Sequence, residues 1–284
     1  MEDFFNTTEQ DNNTTSEDVD QSVRVLYVLQ CVIISIGLPL TLMSIYAVYS
    51  LVRASHVAPI YIINLLISHL IQLCCMIVDL TEPSKKTNEI LFYIYYLGLL
   101  ANVGFMVCIA MERYFVIAWP VWYRFRRTIR NSLMVCVVVW SLPLIYLLPY
   151  YFDVDFQVRE VIYAVFLLFP CPLLIFFLGG TLKALSKASS VPSDEKRRIV
   201  ALLTLVLLTY ILLFLPSAVW SLEEKARASI TFSHLSYTVV LFSPLADSCL
   251  YVLLRKGFAD RVLAFVCCRM ESSTIYRSTE LIGS

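Results

Sequence analysis

Long stretches that are almost free of Asp, Glu, Lys and Arg recur along the chain, separated by short polar segments. At about 1.5 Å per helical residue, each stretch is long enough to cross the roughly 30 Å hydrocarbon core of a bilayer. The pattern therefore predicts seven membrane-spanning helices. The predicted spans are residues 25–52, 57–78, 90–111, 131–152, 161–182, 199–222 and 228–254.

A different hydrophobic pattern follows the last span. Phe258, Val262 and Phe265 recur at helical spacing opposite Lys256 and Arg261. This predicts a short amphipathic helix, residues 256–268, on the inner leaflet. The helix ends in Cys267 and Cys268, which are candidates for palmitoylation, the alternative being two unmodified thiols.

The expected fold is an all-α membrane protein, a seven-transmembrane helix bundle with a short amphipathic eighth helix. Residues 1–22 form the predicted extracellular tail, residues 23–255 the bundle, and residues 269–284 a cytoplasmic tail. All connections between the spans are short, which leaves no room for a separate soluble domain.

Composition supports a membrane protein and argues against an enzyme. Hydrophobic residues make up 59% of the 284, charged residues only 15%, and the mean hydropathy is +0.74, which excludes a soluble domain of this size. The sequence contains no paired-histidine metal motif, nucleophile elbow or P-loop. We expect no enzymatic activity, no cofactor and no metal, and no nucleic-acid polymer as a partner.

Charge and glycosylation signals agree on orientation. Residues 1–22 contain seven acids and no base, and Asn6, Asn12 and Asn13 each begin an Asn-X-Thr sequon, which is glycosylated only on the lumenal side. With the N-terminus outside, the inner loops and tail carry fifteen Lys and Arg and the outer ones six, as the positive-inside rule requires. The cysteines lie in spans or at the inner face, so no external disulfide is expected.

Several short motifs occur in a fixed order on these spans. Glu112-Arg113-Tyr114 closes the third span, and Ala118-Trp119-Pro120 follows it. The later spans carry Trp140, then Phe169 and Pro172, then Phe214-Leu215-Pro216, then Asp247-Ser248-Cys249-Leu250-Tyr251. In this order and placement the chain resembles the rhodopsin-like (class A) G-protein-coupled receptors over about residues 23–268. It is most similar to the branch of nucleotide, lysolipid and proton-sensing receptors.

The chain also departs from that family's pattern. Thr41 stands where the first span should carry Asn, His69 where the second should carry Asp, and Ser248 where the seventh should carry Pro. Gly180 replaces a tyrosine of the fifth span, and Asn88 replaces the cysteine of the missing external disulfide.

The resemblance implies which residues couple to the G protein. Arg113 would pair with Glu112 at rest and meet the G protein when the sixth span moves outward. An acid low on the sixth span, a second restraint in many relatives, is here Lys196, so we expect noticeable basal signalling. The implied coupling and switch residues are Glu112, Arg113, Tyr114, Tyr210, Phe214, Pro216, Asp247 and Tyr251; ordinary packing is the alternative for the aromatic and proline positions.

His69 is an ionisable residue within a predicted span, and such residues are functional candidates. It is either a neutral histidine hydrogen-bonded inside the bundle or, with Asn102 and Asp247, part of a polar cluster that replaces the family's sodium site. An imidazolium paired with Asp247 could dispense with sodium, so we expect ligand binding that is insensitive to sodium.

The resemblance places a ligand pocket at the outer end of the bundle. Its candidate residues are Asp79, Phe92, Tyr95, Tyr96, Leu99, Arg159, Ser217, Ser221, His234 and Tyr237. Tyr95 occupies the position that carries Asp in amine receptors, which argues against a biogenic amine. Arg159 could pair with an anionic group or remain a solvated loop charge.

The expected function is that of a plasma-membrane receptor, surrounded by membrane lipids, that transmits binding of an extracellular ligand to heterotrimeric G proteins. A lipid, a nucleotide or another small anionic molecule is the expected ligand class. The alternatives are a decoy receptor that binds without coupling and, with weaker support, a seven-span transporter, which would tend to show internal repeats and a path of buried charges.

Overall fold

The computed structural model describes residues 16–55, 59–126, 128–152, 154–187 and 193–254, and within them the chain is helical, with turns and no strand. The helices, numbered in chain order, are α1 Ser16–Ser55, α2 Ile60–Asp79, α3 Lys85–Ala118, α4 Pro120–Arg126, α5 Ile129–Tyr151, α6 Phe156–Leu168, α7 Pro170–Lys187, α8 Ser193–Leu222, α9 Glu224–Ala228, α10 Ile230–Leu241 and α11 Ser243–Leu254.

Six segments of the described chain are helical, long and apolar enough to cross a membrane. They correspond to the first six predicted spans, and the fifth of them combines α6 and α7. The predicted seventh span is formed by α10 and α11, which follow one another end to end. The helical membrane bundle predicted from the sequence is therefore confirmed.

Two predicted spans are divided rather than continuous, and a proline lies at each division. Pro170 begins α7 directly after Phe169, and Pro244 is the second residue of α11. Proline has no N–H to donate to the preceding turn but is well tolerated in the first turn of a helix. At the second division the Phe242 N–H bonds to the Val239 carbonyl at 3.2 Å, which tightens the end of α10.

The ends of several helices differ from the expected ends. Helix α1 begins at Ser16, inside the predicted tail, where the acids at positions 17, 18 and 20 favour a helix N-terminus. The short helices α4 and α9 lie outside or at the edge of the predicted spans, where no helix was predicted. The predicted eighth helix with Cys267 and Cys268, and the sequons at Asn6, Asn12 and Asn13, lie outside the described residues.

Helix α3 lies at the centre of the bundle, where it packs against α2, α5 and α7 and also contacts α8. Its middle section is buried on nearly all sides, and Phe105 is fully buried. Trp140 of α5 packs edge-on against Phe105 and donates its indole N–H to Asn64 of α2 at 3.0 Å. Large apolar side chains on the outside of the bundle are exposed, as on any surface that faces lipid, with Val137 69% and Leu212 68% exposed.

Candidate functional site

Three polar side chains from separate spans meet in the middle of the bundle. The His69 Nε2 atom lies 3.3 Å from Asp247 Oδ2 and 3.3 Å from Asn102 Oδ1. Asn102 donates its amide N–H to Asp247 Oδ2 at 3.0 Å. His69 and Asn102 are fully buried and Asp247 is 6% exposed. The structure thus places His69, Asn102 and Asp247 together, as a buried carboxylate requires.

The same network extends towards the first and seventh spans. Ser248 Oγ lies 3.4 Å from His69 Nδ1 and 3.0 Å from Thr41 Oγ1. Thr41, His69 and Ser248 are three of the positions at which the chain departs from the family pattern. These three residues contact one another in the order Thr41, Ser248, His69, so each departure from the family pattern is next to another departure. We call the line Thr41–Ser248–His69–Asn102–Asp247 the polar chain.

At the inner end of α3, Glu112 contacts both Arg113 and Tyr123. Arg113 Nη2 lies 3.9 Å from Glu112 Oε2, a long contact for an ion pair, and Tyr123 of α4 donates its hydroxyl to Glu112 Oε1 at 3.1 Å. Glu112 is 4% exposed and Arg113 35% exposed. The sequence indicated the acid and the base but not Tyr123, because Tyr123 lies in a connection between spans for which no structure was predicted.

Tyr114 packs against the fifth span where the family tyrosine is missing. A Cβ atom placed on Gly180 would lie 2.6 Å from Tyr114 Cε2, well inside van der Waals contact. The Tyr114 ring also packs against Phe176 and Phe177, at 6.0 and 5.8 Å between ring centroids. Glycine at position 180 is therefore what leaves room for Tyr114 in this arrangement.

Of the predicted switch residues of the sixth span, Tyr210 and Phe214 are buried and Pro216 is half-buried. Tyr210 donates its hydroxyl to the Leu167 carbonyl, at the end of α6, and stacks on Phe214 at 5.2 Å. Beside Pro216, Ser217 donates to the Ser236 carbonyl at 3.0 Å, and the Ser236 hydroxyl donates to the Pro216 carbonyl at 3.3 Å. Asp247 and Tyr251 are both residues of α11. The side chain of Tyr251 is outside the described part of the structure.

A cavity opens between the outer ends of the helices and encloses about 960 Å³ of space, counting its mouth. Aromatic side chains dominate its wall. Phe92, Tyr96 and Tyr150 pack at 4.5–5.1 Å between ring centroids, and Tyr146 shares a hydrogen bond of 2.8 Å with Tyr150. A concave, largely aromatic wall with a few polar groups suits a small-molecule site.

The structure puts part of the predicted ligand set on this wall. Asp79, Phe92, Tyr95, Tyr96, Arg159 and Tyr237 line the cavity. Leu99, Ser217, Ser221 and His234 do not. Leu99 is fully buried in the core, and Ser217 and Ser221 use their hydroxyls to bond neighbouring spans.

Three charged side chains stand on the wall. Asp79 Oδ2 accepts a hydrogen bond from the side-chain amide of Gln30 at 3.1 Å. The Arg159 guanidinium lies over the Tyr150 ring, 4.7 Å from its centroid. The Glu160 carboxylate accepts a hydrogen bond of 2.6 Å from the Ser221 hydroxyl. Sequence reasoning missed Glu160 because it falls in the polar segment before the predicted fifth span, which here begins earlier, at Phe156.

Residues 45–159 match the family model described as 7 transmembrane receptor (rhodopsin family). This part of the chain is similar to the rhodopsin-like receptors. Human G-protein coupled receptor 68 is 24% identical over 280 residues, which cover 85% of this chain and 77% of the relative. Mas-related G-protein coupled receptor member X3 of Macaca mulatta is 26% identical over 245 residues, covering 78% and 74%.

These matches agree with the predicted family and with the branch placement near G-protein coupled receptor 68. They also agree with the prediction that the chain is not an enzyme, since the matched relatives are receptors. The receptor is a multi-pass membrane protein. Within the described residues no group of three or more His, Cys, Asp or Glu side chains gathers as a metal site.

Proposed function

We propose that this chain is a plasma-membrane receptor, with its N-terminal tail outside the cell, that transmits binding of an extracellular ligand to a heterotrimeric G protein. The observation that carries the proposal is the course of α3. It contributes Tyr95 to the outer cavity, Asn102 to the polar chain and Arg113 to the inner end. From Tyr95 to Arg113 the helix rises about 27 Å at 1.5 Å per residue, so one element joins both faces of the bundle.

Helix α8 is the element that would move. Pro216 removes one backbone hydrogen bond inside this helix, and prolines of this kind are common sites of bending. The Ser217 and Ser236 bonds tie the bend to α10, whose residues Tyr237 and Leu241 line the cavity. A ligand that shifts α10 therefore acts directly on the bend in α8.

The restraint at the inner end is weak. Arg113 is separated from Glu112 by 3.9 Å, and no other carboxylate is paired with it among the described side chains. Exposed or loose ion pairs contribute at most about 1 kcal/mol. We therefore propose that the receptor signals noticeably without a ligand, as the replacement of the family acid by Lys196 also suggests.

The charges on the cavity wall bear on the class of ligand. A lipid, a nucleotide or another anionic group could pair with Arg159, which contributes the positive charge of the cavity wall. The wall carries two carboxyl groups, Asp79 and Glu160, against this one guanidinium. A ligand with only negative groups would meet more repulsion than attraction there, so support for the anionic class rests on Arg159 alone.

The proposal is tested by basal signalling through a panel of chimeric G proteins. At equal surface expression, Arg113→Ala should abolish the basal signal, because the guanidinium supplies the contact for the G protein. Arg130→Ala is the matched control, since it removes an exposed base at the same membrane face. A flat response of the wild-type receptor across the whole panel would favour the decoy alternative, and an unchanged signal in Arg113→Ala would remove the assigned role of Arg113.

A further inference from the structure

The outer cavity contains a carboxylate whose surroundings are neutral. Asp79 ends α2, and its described hydrogen bond comes from the uncharged amide of Gln30 at 3.1 Å. Among the described side chains no Lys or Arg forms an ion pair with it. A carboxylate beside an aromatic wall needs a partner of opposite charge to offset its partial desolvation.

A second polar group beside it also has capacity to bond. The Tyr95 hydroxyl is buried and has no hydrogen-bond partner among the residues that the structure describes. Tyr95, Tyr237 and Asp79 line the same cavity. Buried hydroxyls in native proteins nearly always have a partner, so an unsatisfied one on a cavity wall indicates a position where a ligand atom bonds.

We propose that the Asp79 side of the cavity binds a cationic group of the ligand, an ammonium or an amidinium. The Asp79 carboxylate accepts the N–H groups, and Tyr95 offers its oxygen as a further acceptor. The faces of the neighbouring aromatic rings attract a cation as well. This inference rests on the proposed function only in taking the cavity as the ligand site.

The choice of Asp79 over Glu160 follows from their neighbours. Glu160 is next to Arg159 in the chain, and its carboxylate accepts a short hydrogen bond from Ser221. Asp79 instead bonds to Gln30 of α1, whereas the Arg159 guanidinium lies over Tyr150 of α5. The cationic site and the Arg159 guanidinium therefore stand on separate parts of the wall, and both could act on one ligand that carries both charges.

Three probes of one shape test the charge preference. Benzamidinium, benzamide and benzoate share a phenyl ring and carry a positive, a zero and a negative charge. Binding is measured to the purified full-length receptor in lipid nanodiscs without G protein, so the result is independent of coupling. Benzamidinium should bind at least about tenfold more tightly than benzamide, since charge-assisted hydrogen bonds to a carboxylate are worth about that factor.

Substitutions locate the site. Asp79→Asn keeps the shape and the acceptor for Gln30, and should reduce benzamidinium binding to the level of benzamide. Glu89→Gln removes an exposed acid near the same outer end of α3 and should leave binding unchanged. If Asp79→Asn does not fold, Tyr95→Phe serves instead, because it removes only the unpartnered hydroxyl; it should weaken benzamidinium binding several-fold and leave benzamide binding unaffected.

Three results would overturn the proposal: equal affinity for the three probes, no benzamidinium binding at about 10 mM, or unchanged binding in Asp79→Asn. None of these results bears on basal signalling or on Arg113→Ala. Failure of the cationic site is therefore distinguishable from failure of the receptor function itself.

Discussion

Gly180 and Gly179 are adjacent residues of α7 whose substitution by alanine should have opposite effects. A Cβ atom on Gly180 would lie 2.6 Å from Tyr114 Cε2 and 3.0 Å from Tyr114 Cδ2, whereas a Cβ atom on Gly179 has nothing within 4 Å. Both substitutions gain the same helix propensity, about 1 kcal/mol at most. That gain cancels in the comparison, so the difference between the two variants reports the clash with Tyr114.

The clash can be sized from the packing around the ring. The Tyr114 ring packs against the rings of Phe115, Phe176 and Phe177, with 5.4–6.0 Å between ring centroids. Its ring can therefore yield only by displacing other aromatic side chains. Overpacking of this kind typically costs about 1–3 kcal/mol. For a protein of this size the gap in melting temperature between Gly180→Ala and Gly179→Ala should be roughly 2–12 °C.

Thermal unfolding in matched detergent micelles measures that gap, with Gly179→Ala as the more stable variant. Adding Tyr114→Leu to Gly180→Ala should recover most of the loss, because the smaller side chain vacates the contact. Equal melting temperatures for the two alanine variants, or no recovery in the double variant, would show that Tyr114 does not occupy the space beside Gly180.

Two further predictions concern the polar chain and the inner end of α3. Exchanging KCl for NaCl should leave the thermal stability of the wild-type receptor unchanged, because His69 Nε2 and the Asn102 amide already contact the Asp247 carboxylate, at 3.3 and 3.0 Å; a clear stabilisation by sodium would contradict this. Glu112→Gln should raise basal signalling at equal surface expression, and Tyr123→Phe should raise it less, by up to about fivefold, because it removes one hydrogen bond that orients Glu112. A lower basal signal in Tyr123→Phe would show that this hydroxyl does not support the restraint on Arg113.

The sequence was sufficient to predict the spans because lipid imposes a simple rule. Runs without charged residues must be helices that satisfy their own backbone, and their lengths follow from bilayer thickness. The same rule does not detect where a span is divided. The divisions at Phe169 and Phe242 involve apolar residues and prolines that hydropathy does not distinguish from a continuous helix.

The candidate site was predicted in part, and the residues that were missed have a common cause. His69 could be singled out because ionisable side chains are rare in spans, and the resemblance to the family's sodium site grouped it with Asn102 and Asp247. Glu160 and Tyr123 lie outside the predicted spans, where polar residues are ordinary and carry no signal of burial. Their importance arises from tertiary contacts, the Ser221 hydroxyl for Glu160 and the Glu112 carboxylate for Tyr123.

The seventh span is divided at Phe242, so the residues that line the cavity and those of the polar chain lie on two helices instead of one continuous helix. Helix α10 presents Tyr237 and Leu241 to the cavity, while α11 carries Asp247 and Ser248 of the polar chain. Pro244 has no N–H to donate at this joint, so the backbone hydrogen bonding between the two halves lacks one bond. Substitutions at Tyr237 or Leu241 therefore act on the cavity wall, and substitutions at Asp247 or Ser248 act on the polar chain.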